Sequence, residues 1–279
     1  MRPTLRLLGC SPSSLLARLA RNTELSPADA KAELRWMRAA AAGETALEAM
    51  VERRAAGEPL QYILGDTDFG PLTLNCRAPV LIPRPETAHI IERLASILPS
   101  RPLRVLDLCT GSGCIPLLLA HLRPDLTAVG VDISPDAIAL SNENIAALGM
   151  GERVRVVQAD ILSLSFPDFV REEVGKVDLV TSNPPYIPQV EYDALPHSVR
   201  AFEDQRALLA PAPPGGEDGT AFYALIAKIA PSLLSEGEGV RVAVEIGAGQ
   251  GRAVAAILPG RTEVMQDQYG RDRMVTAVF

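Results

Sequence analysis

The 279 residues are 47% hydrophobic and 22% charged, enough apolar material for one large or two modest cores. A formal charge of -7 and a pI near 5.1 exclude a surface dominated by Lys and Arg of the kind that grips nucleic-acid backbones, and no apolar run approaches the roughly 20 residues of a membrane span. The four cysteines, Cys10, Cys76, Cys109 and Cys114, form no C-x-x-C pair and have no His cluster nearby, which points to free thiols and a soluble protein of a reducing compartment.

Residues 1–23 carry Arg2, Arg6, Arg18 and Arg21, several serines and no acid before Glu24. That composition suits an organelle transit segment as well as an ordinary first helix over 13–21. Leu15, Leu16 and Leu19 share a helical face, Ser26-Pro27 reads as a cap with proline at the first helical position, and a further helix fits 44–56, ended by Gly57. The spacing therefore predicts a small helical domain over 1–65. Charge marks it as separate: residues 1–82 hold 10 Lys and Arg against 9 Asp and Glu, leaving 17 against 25 for the rest. Residues 66–82, with Gly70-Pro71 between two β-prone runs, read as a hairpin linker, and a helix begins near Glu86.

From residue 102 apolar runs alternate with helical stretches. Strands are predicted at 104–108, 127–133, 154–159, 177–182 and 240–246, with helices at 113–122, 135–148 and 220–235. The pattern implies an α/β domain over 83–279, built on a parallel sheet covered on both faces. The runs 262–268 and 274–279 suggest a closing hairpin. Residues 210–216 are a Pro/Gly-rich loop.

Three strand ends carry candidate chemistry. The first strand ends in Asp107 and runs through Cys109-Thr-Gly-Ser-Gly113 into a helix; the glycines permit close backbone approach and Asp107 suits the turn or an ammonium group. Asp132, 25 residues on at the second strand's tip, is placed to accept both hydroxyls of a ribose. Asp160 ends the third strand, suited to the exocyclic amine of an adenine, with Ile161 packing on the ring. Ligands of open α/β sheets bind outside such carboxyl ends.

The fourth strand stops at Asn183-Pro-Pro-Tyr186. At this corner the chain resembles the class I S-adenosylmethionine-dependent methyltransferases, in particular those that methylate planar amines or amides. An amide nitrogen is a poor nucleophile because its lone pair is delocalised. The Asn183 side-chain oxygen and the Pro184 carbonyl would hold both amide hydrogens, Tyr186 would stack on the plane, and Pro184 and Pro185 would make the corner rigid.

The flanks narrow the resemblance. Gly57-Glu-Pro-Leu-Gln-Tyr-Ile-Leu-Gly65, Leu81-Ile-Pro-Arg-Pro-Glu-Thr87, Phe202-Glu-Asp204, Glu245-Ile-Gly247 and Gly270-Arg-Asp-Arg273 are similar to the release-factor glutamine methyltransferase family, the HemK or PrmC type. The resemblance implies a helical substrate-docking domain, a hairpin linker and a Rossmann-like methyltransferase sheet. It implies S-adenosyl-L-methionine as cofactor, held by Asp107, Cys109, Thr110, Gly111, Ser112, Gly113, Asp132, Ile133, Asp160, Ile161 and Asn183, with Pro83, Arg84 and Thr87 of the Leu81–Thr87 motif and no metal. The substrate it implies is the Gly-Gly-Gln glutamine of class I peptide chain release factors, and the enzyme is expected to act as a monomer without nucleic acid or membrane. The chain departs from the family pattern at Cys109, where glycine is usual, and at Ile161, where bacterial members often carry an aromatic. Phe202-Glu-Asp204 and the Arg-rich start look more like organellar members, so a mitochondrial location is expected, with the cytoplasm as alternative. An exocyclic-amine methyltransferase of DNA or rRNA, and a non-catalytic binding protein on the same fold, remain the competing readings.

Overall fold

In a computed structural model the described residues are 12–22, 24–211 and 219–279; residues 1–11, most of the 210–216 loop and Thr23 lie outside them. The elements in chain order are α1 (Pro12–Leu19), α2 (Pro27–Ala40), α3 (Glu44–Ala55), α4 (Leu60–Leu64), β1 (Asp66–Phe69), β2 (Leu72–Asn75), α5 (Pro85–Ile97), β3 (Leu103–Leu108), α6 (Cys114–Leu122), β4 (Leu126–Asp132), α7 (Pro135–Ala147), β5 (Val154–Gln158), α8 (Phe166–Glu173), β6 (Leu179–Ser182), α9 (Gln189–Asp193), α10 (His197–Phe202), α11 (Ala221–Leu233), β7 (Val242–Glu245), α12 (Gly251–Ile257), β8 (Arg261–Gln266) and β9 (Asp272–Val278). None of the described helices is long and apolar enough to cross a membrane.

The chain divides into two compact units. The first comprises the described residues up to Gly65 together with Pro196–Phe202. Its core is Leu15, Leu19, Leu34, Met37, Leu47 and Val51, each buried Leu contributing about 2 kcal/mol. Ser26 caps α2 by accepting the Asp29 N–H at 3.1 Å, with Pro27 in the first turn, as the Ser-Pro signature predicts. A buried ion pair crosses this core: Arg54 donates to both Glu33 oxygens, at 2.6 and 3.0 Å. Arg54 also donates to the Glu58 carbonyl, and Asn22 donates to the Arg54 carbonyl. α10 joins this unit from far along the sequence; the apolar pattern of six residues between prolines and acids gave no hint of it.

The second unit carries two sheets. β1 and β2 form an antiparallel hairpin. The main sheet has seven strands in the order β5-β4-β3-β6-β7-β9-β8. The first five run parallel and β9 is antiparallel to both neighbours. The expected closing hairpin is β8–β9, which needs no crossover helix and makes the sheet mixed at that edge. Alternation along β3 sends Leu103 and Val105 to a core shared with Ile91, Leu94, Leu117 and Leu119. Leu106 and Leu108 turn to the other face, with Val180, Val244, Tyr223 and Ile226. The chain leaves β3 toward β4 on one side and returns to β6 on the other. A crevice at the carboxyl ends of the strands follows from that reversal.

Candidate active site

β3 leads into the glycine turn. Cys109 is the one non-glycine described residue with a left-handed backbone, at φ 59°, a conformation that costs a side-chain-bearing residue about 1 kcal/mol. Gly113, at φ 78°, opens α6. The turn is tied down from three sides: Thr110 N–H donates to the Val131 carbonyl, Ser141 Oγ to the Gly111 carbonyl at 2.7 Å, and Asn144 to the Ser112 carbonyl at 3.0 Å.

Asp132 reaches across from the end of β4. One of its oxygens accepts the Gly111 N–H at 2.8 Å and the other the Ser134 N–H at 2.9 Å, so it shapes the turn as well as facing the crevice. Burial raises its pKa above the ordinary carboxylate range, against the backbone hydrogen bonds that lower it.

Asp107 is fully buried. Thr181 of β6 donates to its Oδ1 at 2.7 Å and the Thr110 hydroxyl also faces the carboxyl, while its Oδ2 has no hydrogen bond of ordinary geometry among the described residues. Burial pushes Asp107 up to about 7, opposed by the Thr110 and Thr181 hydroxyls. A buried carboxyl with one unmatched oxygen behind a glycine turn is suited to a cationic group such as an α-ammonium. Cys109 is raised well above the ordinary thiol value, first by burial and then by Asp132 and Asp107, which leaves it an unreactive thiol.

A cavity of about 300 Å³ opens at these strand ends, and Cys109, Gly111, Asp132, Ile133, Asp160, Ile161, Asn183 and Pro185 all line it. Asp107, behind the turn, and Thr110, Ser112 and Gly113 within it do not line the cavity. Asp160 is exposed at the rim, its Oδ1 accepting the Leu162 N–H at 2.9 Å. Pro83, Arg84 and Thr87 are not part of the lining: Arg84 donates to both oxygens of the buried Glu203, at 2.8 and 2.7 Å, and Thr87 is buried next to Glu245. The opposite wall was not anticipated. It comes from Pro79, Val80 and Leu81 and from the stretch after the corner, with Asp204, Arg206, Leu209 and Phe222. That stretch is placed by an Ile187–Leu209 bridge and by the Asp204 N–H donating to the Pro79 carbonyl at 2.7 Å, long-range pairings with no local signature.

The Asn183-Pro-Pro-Tyr186 corner follows the buried strand β6, whose Ser182 donates to the Leu108 carbonyl at 2.8 Å. The ends of β3 and β6 are therefore pinned to each other on either side of the cavity. Tyr186 is pushed up to about 12 by burial and the neighbouring Glu245, opposed by Arg273 and Arg84, so it remains a phenol at any working pH. Glu245 is raised to about 7 by burial, opposed by Thr87 and Arg273. Three motifs far apart in sequence, around residues 84–87, 245–247 and 270–273, thus meet behind the tyrosine ring.

The strand order with its antiparallel closing hairpin, the glycine turn, the acid ending β4 and the Asn-Pro-Pro-Tyr corner define a class I methyltransferase, whose donor is S-adenosyl-L-methionine. Residues 99–213 match the family described as a methyltransferase domain, and residues 5–65 the PrmC N-terminal domain. The release factor glutamine methyltransferase of Rhodospirillum rubrum is 36% identical over 97% of this chain and 75% of its own length. That of Cereibacter sphaeroides is 41% identical over 82% of this chain and 78% of its own. A methyltransferase structure from Pyrococcus furiosus, 16% identical with a TM-score of 0.51, covers 73% of this chain and 87% of that one, and shares the fold. This chain belongs to the release factor glutamine methyltransferase family.

These relatives are bacterial and give the mitochondrial expectation no support. Most of the Arg-rich start falls inside the matched N-terminal domain, and Leu15 and Leu19 are fully buried in its core. Of the arginines of 1–23, Arg18 on α1 and Arg21 just after it pair with Glu52 of α3, at 3.3 and 2.7 Å; Arg2 and Arg6 lie outside the described residues.

Proposed function

We propose that this enzyme methylates the side-chain amide nitrogen of the glutamine in the Gly-Gly-Gln loop of class I peptide chain release factors, with the residue roles below. The observation that supports the reading is that Asn183 and Pro185 line the same cavity as Asp132 and the glycine turn, as an amide-holding corner beside a nucleoside-holding strand end would require. S-adenosylmethionine, when bound, supplies a sulfonium methyl as the electrophile. Asp107 meets its ammonium group behind the turn, Asp132 accepts from the ribose, and Asp160 and Ile161 take the adenine edge and face. The Asn183 side-chain oxygen and the Pro184 carbonyl accept the two hydrogens of the glutamine amide, and the Tyr186 ring lies against its plane. Pro184 and Pro185 fix the approach beforehand, so alignment supplies most of the acceleration. The amide proton leaves through the Asn183 hydrogen bond to water, and no histidine lines the described cavity.

The helical unit docks the release factor, a role supported by Trp36, the chain's one tryptophan, which is 54% exposed on α2. The acidic composition supports a protein rather than nucleic-acid substrate. The working form is a cytoplasmic monomer. Intact mass of a release factor incubated with enzyme and cofactor tests the reading: one added methyl, mapped to the glutamine, is expected. An unmodified factor beside a methylated RNA or DNA would overturn it.

A further inference from the structure

The Asn183-Pro-Pro-Tyr186 corner ends in a backbone carbonyl that is gripped from behind. Gln250, the residue that opens α12, donates from Nε2 to the Tyr186 carbonyl at 3.2 Å. Its Oε1 accepts the Gly247 N–H at 2.8 Å and faces the Tyr223 hydroxyl at 3.4 Å. Tyr223 is fully buried, and its single phenolic proton lies between the Glu245 carbonyl, at 3.0 Å, and this oxygen. The amide orientation is dictated by its partners, because the Gly247 N–H only donates and the Tyr186 carbonyl only accepts. On the other side Gly219 sits at φ +75°, where a Cβ would run into the Tyr186 carbonyl and the Gln250 amide. The next amide along, that of Ile187, is bound to the Leu208 carbonyl. With two prolines removing their own donors from the corner, these contacts among the described residues hold its carbonyl end.

We infer that Gln250 is a positioning residue for methyl transfer: it holds the Tyr186 carbonyl, and through it the angle at which Asn183 and Pro184 present the substrate amide. The inference rests on the function proposed above. Glutamine suits the place because it donates and accepts at once. A carboxylate of the same shape keeps both acceptor contacts and sets a negative oxygen against the Tyr186 carbonyl; protonation would restore a donor there.

The test uses the full chain with Gln250→Glu and Gln250→Ala. Hydrogen exchange over residues 183–187 reads the brace without any substrate, and steady-state transfer to a release factor reads its consequence. In Gln250→Glu at pH 8 exchange is expected to quicken and kcat to fall at least tenfold, with cofactor Kd within twofold of the parent. Lowering the pH toward 6 should recover kcat in Gln250→Glu and not in Gln250→Ala, a response that a general loss of packing would not give. Unchanged exchange at the corner would overturn the brace. Faster exchange with kcat within twofold, or equal pH responses in the two variants, would overturn its role in catalysis. If the parent itself leaves the release factor unmethylated, the proposed function fails, while the exchange measurement still decides the brace.

Discussion

Asn183 lines the cavity, and its proposed role is to hold the substrate amide. On the proposed function its oxygen is one of two acceptors for the substrate amide, so Asn183→Ala is expected to lower kcat by on the order of 3 kcal/mol, about a hundredfold. Cofactor affinity should be nearly unchanged, as isothermal titration would show. Asp107 behaves differently because it is buried and titrates near 7 in the folded chain against 3.8 ordinarily. Between about pH 4 and 7 the unfolded chain has released this proton while the folded chain keeps it, so the folded state loses stability as pH rises through that window. Glu245, also raised to about 7, acts in the same direction. Asp107→Asn cannot ionise, and should leave Tm unchanged near pH 4 but raise it by a few degrees at pH 8 in the absence of cofactor. The same substitution should weaken cofactor binding tenfold or more. The parent's affinity should rise with pH through about 7 as the carboxylate forms, and the variant's should not. Cys109 holds a left-handed backbone at φ 59°. Cys109→Gly and Cys109→Ala both lose the thiol, yet only glycine relieves the backbone, so the glycine variant should be the more stable by about 1 kcal/mol in urea titrations.

Elements were legible where period and punctuation agreed. The Ser26-Pro27 cap, the β3 run into Cys109-Thr-Gly-Ser-Gly113 and the buried β6 before two prolines each combine an apolar pattern with a residue type that has a geometric reason to be there. α8, α9, α10 and α12 were missed. They are 8, 5, 6 and 7 residues long, too short to show a helical period and held by tertiary packing rather than propensity. The strand-end acids were readable because position on a strand fixes where they point. The wall formed by Asp204, Arg206 and Leu209 was not, since it depends on the pairing of Ile187 with Leu209. Arg54 in α3 shows what such hidden partners carry. Its guanidinium lies on Glu33 of α2 with both side chains largely buried, so Glu33→Ala strands a buried cation. A loss of roughly 3–5 kcal/mol is expected, seen as early melting of α1–α4 by hydrogen exchange, whereas a surface pair such as Arg171–Asp168 should cost under about 1 kcal/mol.

Across the whole molecule, sequence order and spatial membership disagree in one place. Residues 196–202 belong with the helical unit although they are flanked on both sides by methyltransferase sequence; His197 lies so close to Gly57 that a Cβ there would meet its ring at 2.9 Å, and Ser198 N–H donates to Glu24 at 3.2 Å. A fragment of residues 66–279 should therefore not behave as a free domain. Lacking the partners of α10, it is expected to show rapid exchange from about 194 to 204 and a cofactor affinity lowered several-fold, because Asp204 and Arg206 of the cavity wall begin where that segment ends.

The same arrangement limits how the two halves can be recombined. The peptide chain passes between the units three times, at 65/66, 195/196 and 202/203, so the helical unit is stitched in rather than appended. A swap of this unit between homologues, made to redirect the enzyme to another release factor, would have to carry two sequence segments: residues up to 65 and the seven from 196 to 202. Chimeras cut at a single junction after residue 65 should express poorly, and those with both seams matched should recover.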